Sequence, residues 1–404
     1  MTSTIICILC VLLLIAYFFD LTSEKTRIPS VILLLFLGWL LHRLTDLFEV
    51  SVPNLSPLLP ICGTVGLIMI VLEGSLELEL DKTKVPLIGK SLVIALVSIL
   101  ILAFGLAWAL YQLDGVPFRT GLINAIPVCV ISSAIAIPSA KSLNHIHREF
   151  VVYESSISDI LGVLFFNFVA LNEAYTPGTF FHFSLQLVLI AIVSCGATIG
   201  LAWLLRKINH HIKFTPIIIM LILIYAVSKI YHLPALLFIL IFGLAIGNLD
   251  ELKRFRWIRM LEPEELHHEV QKLKHLTIEM TFLIRAVFFI LFGYLIKTAE
   301  ILDPQTFVWA AGIVAGIFII RALLLRVVGL GLQPLFFIAP RGLITILLFL
   351  SIIPELNIPM FRRSLIIQII LLTALMMMIG MIFAKRRPGK VEAINSNQEP
   401  GVIH

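Results

Sequence analysis

The chain has 404 residues, 59% of them hydrophobic and only 14% charged, with a mean hydropathy of +1.04. A soluble domain cannot bury that much apolar surface and still present a charged exterior, which excludes a water-soluble enzyme or binding module. The net charge of +5 is spread over short connections, which excludes a nucleic-acid surface and leaves the lipid bilayer as the solvent.

Thirteen apolar runs follow one another, at about 3–20, 28–43, 57–77, 84–113, 119–143, 148–172, 180–206, 214–230, 234–248, 275–298, 305–332, 334–352 and 363–384. They predict an all-α membrane protein of about 13 transmembrane helices, a single domain over 1–384, with a polar, disordered tail at 385–404. The first run has no basic n-region or A-x-A-like site, so it reads as a retained helix. Cys7 and Cys10 form a CxxC there. Without a nearby histidine or second pair, they read as small apolar residues and not as a metal site.

The second run, IPSVILLLFLGWLL (28–41), resembles the ninth, LPALLFILIFGLAI (233–246). Pro29 to Gly38 and Pro234 to Gly243 share one spacing. The two runs are an odd number of spans apart, so they cross the membrane in opposite directions, which is the pattern of an inverted-topology repeat. The third run ends in IVLEGSLELEL, where Glu73 lies deeper than Glu77 and Glu79. It reads either as a gate or water-mediated ligand, or as an interfacial carboxylate.

The fifth run contains SSAIAIPSAK (132–141) and the twelfth FIAPRGLI (337–344). Mid-span Pro138 and Pro340 each remove a backbone donor and break or kink the helix. Two interrupted helices at matching places in two halves point to a transport site.

The sixth run holds YESSISDILGVLFFNFVA (153–170), with Glu154 and Asp159 in an otherwise apolar span. A carboxylate there costs at least about 2.5–3.5 kcal/mol, so it demands a function or a partner. Ser155 shares a helix face with Asp159, and Glu154 with Ser158, giving one polar stripe. A hard cation such as sodium seeks oxygen ligands, which a carboxylate, a hydroxyl and the carbonyls of a broken helix supply. Proton and cation then compete for one carboxylate, and competition at a site open alternately to each side is exchange. Arg321, Arg341 and Arg285 also fall inside apolar runs. Arg321 is the expected partner of Glu154. Arg341, beside Pro340, neutralises freed carbonyl ends, and Arg285 either pairs or snorkels.

The one long polar connection, 249–274, reads as an interfacial amphipathic helix. About 20 Lys and Arg residues fall on its side of the membrane and about six on the other, which places the N-terminus outside and the C-terminus in the cytoplasm.

With these residues in hand, the chain resembles the monovalent cation:proton antiporter superfamily, nearer its sodium/proton exchanger branch, over about residues 20–385. IVLEGSLELEL resembles that family's FEAGLEL element, ESSISD (154–159) its GES-x-x-ND element, and APRGLITILLF its LRGAVSLAL element. The resemblance implies an inverted-repeat fold with two crossed, interrupted helices. It also implies a moving core (about 57–172 and 275–384), a dimerisation scaffold (about 1–43 and 180–248) and a homodimer in the cytoplasmic membrane. It assigns Asp159 as carrier of a monovalent cation and a proton, Ser155 as a ligand, Ser158 in place of the family's Asn, and Glu73 as a water-mediated ligand. Glu154–Arg321 becomes a structural ion pair, and carbonyls near Ile135 and Ala136 contribute. No cofactor is implied. The family's Thr-Asp-Pro, at the break of the fifth run, is expected to fall on Ala136, Ile137 and Pro138, with Ser132 and Ser133 a turn earlier as substitutes. An organic-anion symporter using Arg321 and Arg341 is the alternative on the same fold. An intramembrane enzyme is disfavoured, because no metal cluster or nucleophile dyad is legible.

Overall fold

A computed structural model of the chain describes residues 2–26, 28–49, 52–78, 82–140, 143–173, 176–207, 214–230, 235–248 and 263–383. Among these residues every regular element is helical. In chain order they are α1 (Thr2–Thr26), α2 (Ser30–Leu47), α3 (Leu58–Glu77), α4 (Val85–Asp114), α5 (Phe118–Cys129), α6 (Ser133–Ala140), α7 (His145–Leu171), α8 (Pro177–Lys207), α9 (Phe214–Ile230) and α10 (Ala235–Gly247). After them come α11 (Pro263–Tyr294), α12 (Thr298–Ile301), α13 (Pro304–Val327), α14 (Leu343–Leu350) and α15 (Arg363–Phe383). Among the described residues ten stretches are long and apolar enough to cross a membrane, with 118–140 taken as one; α9 and α10 are shorter apolar helices.

Local chemistry sets the ends. Gly115 takes the left-handed conformation (φ 66°) that closes α4. Asn144 caps α7 by accepting from the His147 amide at 2.9 Å, and Asp303 caps α13 by accepting from the Gln305 amide at 3.0 Å, with Pro304 in the first turn. One expectation is corrected. Residues 263–274 are not a separate interfacial helix but the first turns of α11, because Pro263 fits a helix start and the Glu-, Leu- and Lys-rich stretch behind it continues the helix. Residues 249–262, the 385–404 tail and Pro234 lie outside the described residues.

Without water to drive association, helices in lipid pack where small residues let backbones meet. α2 packs on α11, and α10 on α3. A Cβ at Gly38 would overlap the carbonyl oxygen of Ile290, and one at Gly243 would overlap the hydroxyl of Ser75. The same α3 and α11 pack on each other, while α4 packs on α5 and α7, and α13 on α15 and α4. Arg285 does not snorkel: it is buried, and its Nη2 lies 3.8 Å from Asp20 Oδ1, joining α11 to α1. Gly38→Ala and Gly243→Ala are therefore expected to lower thermal stability in detergent by about 1–3 kcal/mol. Gly105→Ala on α4, where nothing lies within 4 Å, is expected to leave it unchanged or raised.

Candidate ion-binding site

α5 and α6 are two halves of one span. Between them the chain is extended, with Val130 at φ −80° and ψ 130°. A second extended stretch, 338–342, separates a 3-10 turn at Leu335–Phe337 from α14. The stretches cross: the Ser132 amide donates to the Pro340 carbonyl at 2.9 Å. Gly342 is needed at the crossing, since a Cβ there would lie 2.7 Å from Ile135 Cδ1 and 2.9 Å from Ser132 Oγ.

The first break does not fall at Pro138. Ile135, Ala136, Ile137 and Pro138 all lie within α6. The helix tolerates Pro138 because it is one missing donor, and Ser139 Oγ donates to the Ile135 carbonyl at 2.7 Å beside it. The dipeptide at the break is therefore Ser132-Ser133. Against a Thr-Asp pair, the hydroxyl is kept and only the carboxylate is lost.

Asp159, on α7, is 1% exposed. Its Oδ2 accepts from the Ser133 amide at 3.3 Å and from the Ser133 hydroxyl. Its Oδ1 is buried and has no hydrogen-bond partner among the described residues. Ser158 Oγ accepts from the Ile131 amide at 3.0 Å, so this hydroxyl holds the first break in place. Ser155 is buried and donates to the Val151 carbonyl at 2.7 Å, leaving only its lone pairs for another partner. Glu73 is half-buried on α3. The next residue, Gly74, faces Ser156 Oγ at 3.1 Å from an ideal Cβ, which brings this turn against α7. Asp159 hydrogen-bonds to Ser133 alone among the described residues, so none of Ser155, Ser158 and Glu73 bonds to its carboxylate.

The structure brings Glu154 and Arg321 together in a buried bidentate pair, Nη1–Oε1 at 2.6 Å and Nη2–Oε2 at 2.9 Å. Arg321 Nε also donates to the Leu335 carbonyl at 2.7 Å, tying α7, α13 and the approach to the second break. Arg341 caps α5. Its guanidinium donates to the carbonyls of Val128 at 2.9 Å, Cys129 at 3.1 Å and Ala339 at 2.7 Å, so its cation meets the negative end of the half-helix. Its amide donates to Thr373 Oγ1 at 3.1 Å. Sequence reasoning missed Thr373 and Asn124. Asn124 is fully buried and ties α5 to the Leu356 carbonyl at 2.7 Å. The signal for each was one uncharged polar residue in an apolar run.

Crossed, interrupted helices around one buried carboxylate are the architecture of a secondary transporter. The chain belongs to the transmembrane sodium/hydrogen exchanger family, whose model matches residues 10–385. It is similar in structure to the sodium proton antiporter MjNhaP1 from Methanocaldococcus jannaschii at pH 8, with a TM-score of 0.62, 16% identity, and coverage of 94% of this chain and 96% of that one. An electron-microscopy structure of the same antiporter gives a TM-score of 0.66, 17% identity and 95% coverage of each chain. No curated protein matches the sequence. The family resemblance and the all-helical class read from the sequence are thus borne out.

Removing one partner of a buried ion pair leaves an uncompensated charge or polar group, at about 3–5 kcal/mol. Arg321→Met is expected to lose most folded protein, measured as the monodisperse fraction on detergent size exclusion. Ser158→Ala, which orphans the buried Ile131 amide, is expected to cost about 1–3 kcal/mol in a thermal melt.

Proposed function

We propose that the protein exchanges H⁺ for Na⁺ across the cytoplasmic membrane, with Li⁺ or K⁺ as further substrates, and that Asp159 carries proton and cation in turn. The observation that carries this reading is Asp159 Oδ1, a buried carboxylate oxygen without a partner beside a broken helix. A bare carboxylate away from water is costly, whereas a protonated or cation-bound one is not. Ser155 contributes its free lone pairs one turn before Asp159, and Glu73 contributes through water. Glu154–Arg321 is a structural pair, fully engaged with itself and the Leu335 carbonyl.

Transport proceeds by alternating access. Helices α4–α7 and α12–α15 move against a scaffold of α1–α3 and α8–α11, a division that departs from the expected core of about 57–172 and 275–384 at α3 and α11. α3 and α11 go with the scaffold because they pack on each other, on α2 and on α10. The two reciprocal pairings, α2 with α11 and α10 with α3, support an inverted repeat. The scaffold also forms the homodimer, with the N-terminus outside and the C-terminus in the cytoplasm. Exchange is electroneutral, one proton for one cation, because Ser158 and Ser133 leave Asp159 as the one carboxylate at the crossing. The organic-anion alternative gains nothing from the geometry: Arg321 is held by Glu154 and Arg341 by three carbonyls, so neither is positioned to take a substrate carboxylate.

The test is a proteoliposome with an imposed pH gradient, to which Na⁺, Li⁺, K⁺ and an organic cation are added in turn. Metal-cation dissipation of the gradient is expected for the native protein and is expected to vanish in Asp159→Asn. No response in correctly inserted native protein would sink the proposal, and current driven by voltage alone would sink the electroneutral stoichiometry.

A further inference from the structure

We propose that Thr345, on the second interrupted segment, is a specificity-determining ligand of the transported cation, acting together with Ser132. The proposal deepens the antiport reading and rests on it. In a helix, a serine or threonine hydroxyl ordinarily donates to the carbonyl four residues back. Ser155, Thr277, Thr281 and Thr373 do so here at 2.7–2.8 Å. Thr345 is the third residue of α14, so its four-back residue, Arg341, lies in the extended stretch outside the helix. The three-back carbonyl, of Gly342, accepts from the Ile346 amide at 3.1 Å. The Thr345 hydroxyl is left fully buried and, among the described residues, without a partner.

Ser132 is in the same condition for the same reason. It lies in the first break, is 1% exposed, and its hydroxyl has no partner among the described residues. The interruptions that free backbone groups thus free two side-chain oxygens as well, one from each segment. The third unpartnered oxygen of this region is Asp159 Oδ1.

The three are connected through the crossing. Ser133, next to Ser132, holds Asp159 Oδ2. The hydroxyl of Ser132 faces Gly342, 2.9 Å from where a Cβ would stand. Thr345 is three residues on from Gly342, in the first turn of α14, the half-helix that starts directly at the crossing. Arg341, in the same extended stretch as Gly342, directs its guanidinium at the carbonyls of Val128, Cys129 and Ala339, where those dipoles offset its charge. A desolvated monovalent cation seeks several oxygens and one compensating charge. Asp159 supplies the charge, and the two hydroxyls supply neutral oxygens whose spacing discriminates among ions of different size.

The experiment measures cation-dependent proton flux in proteoliposomes for the native protein, Thr345→Val and Thr345→Ser, with Na⁺, Li⁺ and K⁺. Thr345→Val keeps the shape and removes the hydroxyl. Its KM for Na⁺ is expected to rise about tenfold, the scale of losing one polar contact to a charge, with the maximal rate retained and the Li⁺-to-K⁺ preference changed. Thr345→Ser is expected to restore near-native KM. Na⁺-dependent thermal stabilisation of the purified protein reads the same shift without transport, about tenfold more Na⁺ being needed by Thr345→Val. If Thr345→Val does not fold, Thr345→Ala is compared with Thr345→Ser in its place. Native KM and ion preference in a folded hydroxyl-less variant overturn the proposal, and so does an equal loss in Thr345→Ser. Where the native protein exchanges and Asp159→Asn does not, such a result removes Thr345 alone. Where the native protein shows no exchange at all, the antiport reading falls and takes this proposal with it.

Discussion

Two helices interrupted at membrane depth release backbone donors and acceptors that hydrocarbon cannot satisfy, and the rest of this structure is organised around satisfying them. The Ser132 amide reaches the Pro340 carbonyl, so each break partly satisfies the other. The Ile131 amide is taken by Ser158 and the Ser133 amide by Asp159, both from α7. The carbonyls that end α5 are taken by Arg341. α7 is therefore the helix on which the first break rests, and the residues that hold the break are also those that surround the carboxylate. This explains why the polar stripe of α7 is buried against protein and does not face lipid.

The charges divide by how completely they are paired. Glu154 and Arg321 neutralise each other in a bidentate contact, the geometry in which a buried pair best offsets its desolvation. Arg341 is balanced by three carbonyls. Among the described residues Asp159 bonds only to the amide and hydroxyl of one serine, so its second oxygen is left without compensation. Such an imbalance at the crossing of two broken helices is what a site needs if a proton or a cation is to complete it.

Much of this was legible in the sequence because insertion cost makes intramembrane charges conspicuous. Asp159, Glu154, Arg321 and Arg341 announce themselves as ionisable residues in apolar runs. The span pattern was legible for the same reason, each run being apolar over about 20 residues. The position of the first break was not. Proline was its only local marker, and Pro138 sits inside α6 while the chain unwinds at Val130–Ser132. That unwinding is stabilised by Ser158 and Pro340, both remote in sequence, and no local signal encodes a distant acceptor. The extent of α11 was hidden likewise, because hydropathy marks only its apolar part while the helix begins in the polar stretch at Pro263. Thr345 was invisible among aliphatic neighbours until the break removed the carbonyl it would otherwise bond.

The central claim is that one carboxylate holds either a proton or a cation. The most direct measurement is calorimetric titration of the purified protein with Na⁺ in two buffers of different ionisation enthalpy. The account predicts that close to one proton is released for each Na⁺ bound, and that Asp159→Asn shows neither binding nor release. Sodium binding to the native protein without proton release would contradict it.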